Sequence, residues 1–169
     1  MESKYFIDSL EQSANKVKVM LEDVSDEQAR WKPVPEKWSI LEVVNHLYDE
    51  ERDDFRKRLD LTLHSPDEDW PGIDPEKWSI EREYNKRDYP DSLNNFFAER
   101  KKSMEWLRAL VDPDWDRIHQ HPVIGALSAA DLLAAWVAHD YLHLRQLANL
   151  YAGYLNIMAD PHSTRYASP

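Results

Sequence analysis

Residues 128–151 read SAADLLAAWVAHDYLHLRQLANLY, and the spacing inside this stretch decides the fold. Leu132, Trp136, His139, His143, Gln146 and Leu150 follow one another at steps of 4, 3, 4, 3 and 4. That rhythm keeps six side chains on one side of an α-helix, the seam by which a helix packs into a bundle. Ser128 is a good N-cap for it. The helix is expected to run to about Tyr151, with Gly153 placed for a left-handed C-cap. Two of the six seam positions are histidines one turn apart, where apolar residues would be expected.

Three more helices of similar length follow from the same periodicity. Ser3–Glu22 sets Phe6, Ile7, Leu10, Ala14, Val17 and Leu21 at three- and four-residue steps. Ser25-x-x-Gln28 then marks one short helical turn, and Pro33 and Pro35 stop it from growing. Ser39 and Glu42 form a capping box for a helix carrying Ile40, Val43, Val44, Leu47 and Phe55, expected to reach about Leu61. Another helix begins near Asp91–Ser92 and reaches about Val111, with Leu93, Phe96, Phe97, Met104, Leu107 and Leu110 inward. The connector 62–90 is long, rich in proline and acid, and holds at most one short helix near Ile80–Lys86. Connections of that length often build binding sites. A second connector, DPDWDRIHQHPVIGAL, precedes Ser128. No convincing strand stands out. The expectation is an all-α four-helix bundle forming one domain over 1–169, with long connectors between helices 2 and 3 and helices 3 and 4.

Composition removes several classes of function. With 21 basic and 32 acidic residues the net charge is −11, which disfavours phosphate backbones and anionic membrane surfaces; neither nucleic acid nor membrane is an expected partner. No run approaches the roughly 18 apolar residues of a membrane span, and the first residues, MESKYFIDSLEQ, do not read as a signal peptide, so a cytoplasmic protein is expected. Cysteine is absent. This excludes disulfides, thiolate metal sites and a protein thiol nucleophile; no G-x-S-x-G elbow is present either.

The chemistry therefore rests on histidine. His139 and His143, at i and i+4, can present both imidazoles to one ion. His46 lies three residues beyond Val43 on the helix started by Ser39. One buried histidine is usually just a satisfied core residue, but three inward imidazoles without partners are costly, and a cation removes that cost. Three histidine ligands leave open coordination positions, the catalytic pattern. Imidazole ligands suit zinc, nickel, iron or copper. Asp49, Glu50 and Asp140 are the nearest acids, candidates to orient the rings or accept a proton, although each alone reads as a solvated acid. His119 and His121 lie where they could reach a pocket mouth, His121 being a weak extra candidate, while His64 and His162 look like surface residues. One rival remains: HDYLH has the spacing of H-E-x-x-H metalloproteases, with Asp140 in the place of the glutamate. It would need Asp160 or His162 as third ligand.

Three motifs together resemble a known family. W-S-I-x-E-V-x-x-H-L at Trp38–Leu47, H-P-x-x-G-x-L-S at His121–Ser128 and H-x-x-x-H-x-x-Q at His139–Gln146 look like the DinB/YfiT-like metalloprotein superfamily, in order and across most of the chain. The resemblance implies a four-helix bundle, one divalent ion on His46, His139 and His143, and frequent homodimers. Zinc or nickel come first as the ion, then iron or manganese. It also implies a small-molecule substrate and, with a low-molecular-weight thiol as co-substrate, transfer of that thiol to an electrophile, slightly ahead of hydrolysis by metal-activated water. A non-catalytic bundle in stress response or interaction is the remaining alternative.

The hexamer PEKWSI occurs twice, at Pro35–Ile40 and Pro75–Ile80. Downstream, the second copy has Arg82 for Glu42 and Lys86 for His46, so it loses the capping box and the ligand. Trp78 either walls a pocket or packs. One site is expected, not two.

Overall fold

The helix begun by Ser128 is α7 in the full chain. Its start is a reciprocal capping box: the Asp131 amide donates to the Ser128 hydroxyl at 3.0 Å, and the Ser128 amide donates to the Asp131 carboxylate at 2.9 Å. In the computed structural model, which describes residues 2–167, the chain order is α1 (Ser3–Leu21), α2 (Asp26–Arg30), α3 (Ile40–Asp49), a π-helical segment (Glu50–Phe55), α4 (Arg56–His64), α5 (Pro75–Glu81), a 3-10 turn (Tyr84–Lys86), α6 (Tyr89–Ala109), β1 (Ile118–His121), β2 (Gly125–Ser128) and α7 (Ala129–Met158). Four long rods make the bundle: α1, the continuous α3–π–α4 rod, α6 and α7. Helix α1 packs against α7 and α6, α3 against α6 and α7, and α4 against α7. The four-helix bundle with its two long connectors stands.

Several details differ from the sequence reading. Helix α7 runs on to Met158, so Gly153 is helical and caps nothing. Its role is steric, because a Cβ there would stand 3.0 Å from the edge of the Trp31 ring. The second rod is interrupted by a π turn, a feature that collects at functional sites, and α4 ends at His64. The connector 62–90 holds α5 earlier than Ile80–Lys86; the Asp74 carboxylate caps it by accepting from the Lys77 amide at 3.1 Å. In the second connector, β1 and β2 form an antiparallel hairpin, with Ile118 opposite Ser128 and His121 opposite Gly125. Gly125 supplies a φ of +91° that a side chain would resist. Strands of four residues without alternation carry no readable pattern, and backbone pairing holds them.

The two hexamers adopt different structures. In the first, the helix begins only at its last residue, behind the Ser39 cap; in the second, all six residues are helical. The first copy is tied to the 3-10 turn that follows the second, since the Ser39 hydroxyl donates to Asn85 Oδ1 at 2.7 Å.

The core has two apolar lobes. One gathers Val17, Leu21, Leu41, Val44, Leu47, Phe96 and Leu147; the other gathers Leu10, Leu59, Met104, Leu107, Leu133 and Trp136. Between them every rod contributes buried polar groups: Ser13 from α1, Glu50, Glu51 and Asp54 from the π segment, Arg100 from α6, and Asp140 from α7. His139 and His143 lie at this same level of α7.

Candidate metal centre

Helix α3 carries His46 two turns beyond its capping box, and the seam of α7 carries His139 and His143. Their Nε2 atoms form a small triangle: His46 to His139 is 3.2 Å, His46 to His143 is 3.0 Å, and His139 to His143 is 3.1 Å. His46 is 4% exposed, and the other two are half-buried. Burial, then the neighbouring imidazoles, pushes His46 down to about 2; burial, then the His143 ring, pushes His139 down to about 3, with Asp140 opposing and Arg100 adding. His143 is lowered by burial too, partly opposed by Gln146. All three rings are thus neutral at physiological pH.

Gln146 sets the tautomer of His143. Its Oε1 accepts from Nδ1 at 2.8 Å, so the proton sits there and Nε2 keeps a bare lone pair facing the other rings. Three ligands at metal–nitrogen distances of about 2.1 Å, with angles from right to tetrahedral, need nitrogens about 3.0 to 3.4 Å apart. The observed 3.0–3.2 Å spacings fit one ion. His46 Nδ1 adds to this: it is buried with no hydrogen-bond partner, 3.8 Å from Glu50 Oε1, which is equally unpartnered. An imidazole that gives its other nitrogen to a metal is commonly steadied by such a carboxylate.

Of the three candidate acids, only Glu50 faces a ring of the triangle. Burial, then the Asp54 carboxyl beside it, pushes Glu50 up to about 8, with Arg58 pulling the other way. Burial also raises Asp54, whose Oδ1 lies 2.7 Å from Arg58 Nε. Asp49 and Asp140, the other two candidates, have their oxygens engaged elsewhere. Asp49 accepts from the Tyr84 hydroxyl and pairs with Arg82 at 2.6 Å, anchoring the connector before α6. Asp140 accepts from Ser13 and from Arg100 at 2.7 and 3.0 Å.

Aromatic rings flank the triad, with Trp38 4.7 Å from the His46 ring and Phe55 5.0 Å from that of His139. The other histidines do not join it. His121 Nδ1 accepts from the amides of Val123 and Ile124, both at 3.1 Å, closing the hairpin turn. His119 is buried and stacks on Trp70 at 4.2 Å. His64 and His162 are exposed. Asp160 and His162 lie past the end of α7 while His46 completes the triangle, which removes the metalloprotease reading. Trp78 packs under the Arg82 guanidinium at 4.1 Å.

Glu51, Asp54 and Arg100 escaped the sequence reading. Arg100 was the most accessible of them: it follows Phe96 and precedes Met104 by four residues each, an inward position on α6. The acids hid in the charged run EERDDF, which reads as a solvated face.

Bundle and triangle together define a class: a helical protein with a three-imidazole centre, shared by two rods, that is able to hold a metal ion. The chain matches the DinB superfamily over residues 9–147, a span that includes all three histidines, and it belongs to that superfamily. It is similar to the uncharacterized protein YuaE of Bacillus subtilis (strain 168), at 27% identity over 77% of this chain and 87% of that protein. Its fold is that of YfiT from Bacillus subtilis, described as a probable metal-dependent hydrolase with an unusual four-helix bundle topology. That solved structure superposes with a TM-score of 0.77 at 23% identity, covering 88% of this chain and 85% of that one.

Proposed function

We propose that this chain is a metal-dependent enzyme that joins a small nucleophile to a small electrophilic substrate, with hydrolysis as the first reading. The carrying observation is the convergence of three neutral imidazole nitrogens within 3.0–3.2 Å of one another on two different rods. When bound, the divalent ion supplies Lewis acidity and makes the incoming nucleophile more acidic. The chain has no cysteine, so no protein thiol serves as nucleophile, and in this reading the nucleophile is a small molecule activated at the centre.

The residues around the triangle have distinct tasks. Gln146 holds the His143 proton on Nδ1 and keeps Nε2 free as a donor. Glu50, whose Oε1 stands 3.8 Å from His46 Nδ1, is the proton-exchanging group beside the triangle; a carboxyl pushed to about 8 exchanges protons near neutrality, as a general base or acid must. Trp38 and Phe55 keep bulk water from two sides of the rings. What is said of YfiT supports water as the nucleophile. The motif resemblance supports a low-molecular-weight thiol in its place, and the same residues serve both. No described helix is long and apolar enough to cross a membrane, which suits a dissolved small-molecule substrate.

Metal analysis of tag-free wild type and His143→Ala, grown with zinc, nickel, manganese and iron, tests the centre. Wild type is expected to carry one ion per chain and the variant far less; an absence of stoichiometric metal in wild type refutes the proposal. An ester and amide panel, run beside bacillithiol, mycothiol and glutathione with monochlorobimane, then separates the two nucleophiles. Metal-dependent turnover only with a thiol would overturn hydrolysis.

A further inference from the structure

The polar layer between the two lobes is costly. Glu51, Arg100 and Asp140 are 1%, 3% and 4% exposed, and a buried ion network commonly breaks even with, or loses to, apolar packing of the same volume. Stability alone does not account for it. Its connections point to the metal centre.

Arg100 Nε and Nη2 donate to the two oxygens of Glu51 at 2.7 and 2.8 Å. Its Nη1 and Nη2 donate to the two oxygens of Asp140 at 2.7 and 3.0 Å, and Nη1 also donates to the Leu10 carbonyl at 2.7 Å. One guanidinium on α6 thereby ties the π segment, α7 and α1 together, with every N–H engaged. Both carboxylates stand beside site residues: Asp140 directly follows His139, and Glu51 directly follows Glu50, five residues after His46. A second link runs in parallel. Trp136, one turn before His139, donates its indole N–H to Glu51 at 3.1 Å and stacks on Phe55 at 5.8 Å, whose ring in turn lies 5.0 Å from that of His139.

We infer that Arg100 is a positioning residue of the metal centre: by holding Glu51 and Asp140 at once, it sets the spacing between the rod that carries His46 and the helix that carries His139 and His143. The inference rests on the triad being a metal site. Its force comes from the narrow range of usable distances. A half-ångström slide of one rod would take the 3.2 Å His46–His139 separation beyond the roughly 3.4 Å that three nitrogens around one ion allow. Without Arg100, Glu51 and Asp140 would repel across that same gap.

Cobalt(II) is the probe, added to EDTA-stripped protein and followed by its visible absorption. Two variants are compared with wild type: Arg100→Lys, and the triple variant Arg100→Met/Glu51→Leu/Asp140→Leu. The triple variant is expected to melt close to wild type without metal, because an apolar replacement of a whole ion network is near neutral. It should nevertheless bind cobalt about ten- to hundredfold more weakly, the usual effect of losing outer support around a metal, with a shifted absorption band. Arg100→Lys keeps the charge but cannot serve two carboxylates bidentately, and it should move both readings in the same direction. Binding within about twofold of wild type, with superimposable spectra, would overturn the inference; if the triple variant fails to fold, Arg100→Lys alone decides. Wild type binding no cobalt, or His143→Ala binding it equally well, would instead sink the metal reading and the inference with it.

Discussion

Stripping the protein of metal and lowering the pH from 7 to 5 should expose the energetic load of its buried imidazoles. His46 and His139 titrate at about 2 and about 3 in the fold, against 6.5 when unfolded. An imidazole with a depressed folded value takes its proton first in the unfolded chain. Its contribution is therefore flat above pH 7, and stability falls as pH drops through 6.5 toward the folded values. Between pH 7 and 5 each ring costs about 2 kcal/mol, so the pair costs about 4 kcal/mol, a large share of an ordinary domain's stability. Glu50 works in the opposite sense, since at about 8 its folded form keeps a proton that the unfolded chain releases. Glu50 is kept in protein with and without the two histidines, so most of its opposing contribution drops out of their difference. Urea unfolding followed by tryptophan fluorescence, in EDTA at both pH values, should be run on wild type and His46→Gln/His139→Gln. Wild type should lose about 4 kcal/mol more than the variant on acidification. Equal losses, within about 0.5 kcal/mol, would refute the reasoning that these rings are held neutral by burial.

Two further outcomes follow from the fold. Ser39→Ala should lower the urea-derived stability by about 1 to 2 kcal/mol, since it removes one arm of a capping box and a bond to Asn85. Ser79→Ala, at the same place in the second hexamer, loses only a bond to the Glu76 carbonyl in its own helix and should change stability by less than about 0.5 kcal/mol; the reverse order would contradict the unequal roles of the two copies. Gly153→Ala improves helix propensity by about 1 kcal/mol, but its new Cβ meets Trp31 at 3.0 Å. The gain should therefore appear in a Trp31→Leu background and shrink or vanish in wild type, whereas the same thermal shift in both backgrounds would show that the ring sets no limit.

How much of this could be read from the chain differs by element. The seam of α7, the capping box at Ser39, the N-cap at Ser128 and the inward histidines are local patterns, in which spacing of three and four residues dictates a face; they were legible, and with them the bundle and the three histidines that meet in it. Helix ends were less so. Gly153 looks like a cap because glycine tolerates a left-handed turn, yet the ring of Trp31, more than a hundred residues earlier in the chain, is what demands a residue without a side chain there. PEKWSI makes the same point, since one hexamer lies outside a helix and inside another depending on what surrounds it. The acids show the limit most plainly. Asp49, Glu50 and Asp140 all stand near the histidines in sequence, but which of them faces an imidazole depended on where Tyr84 and Arg82 arrived from the connector and Arg100 from α6. Periodicity fixes the face a residue presents, because backbone geometry is local. The partner it meets there is set by packing between rods, which brought the three histidines together with Glu50 beside them and turned a run of apparently solvated charges into the buried layer that spans the bundle.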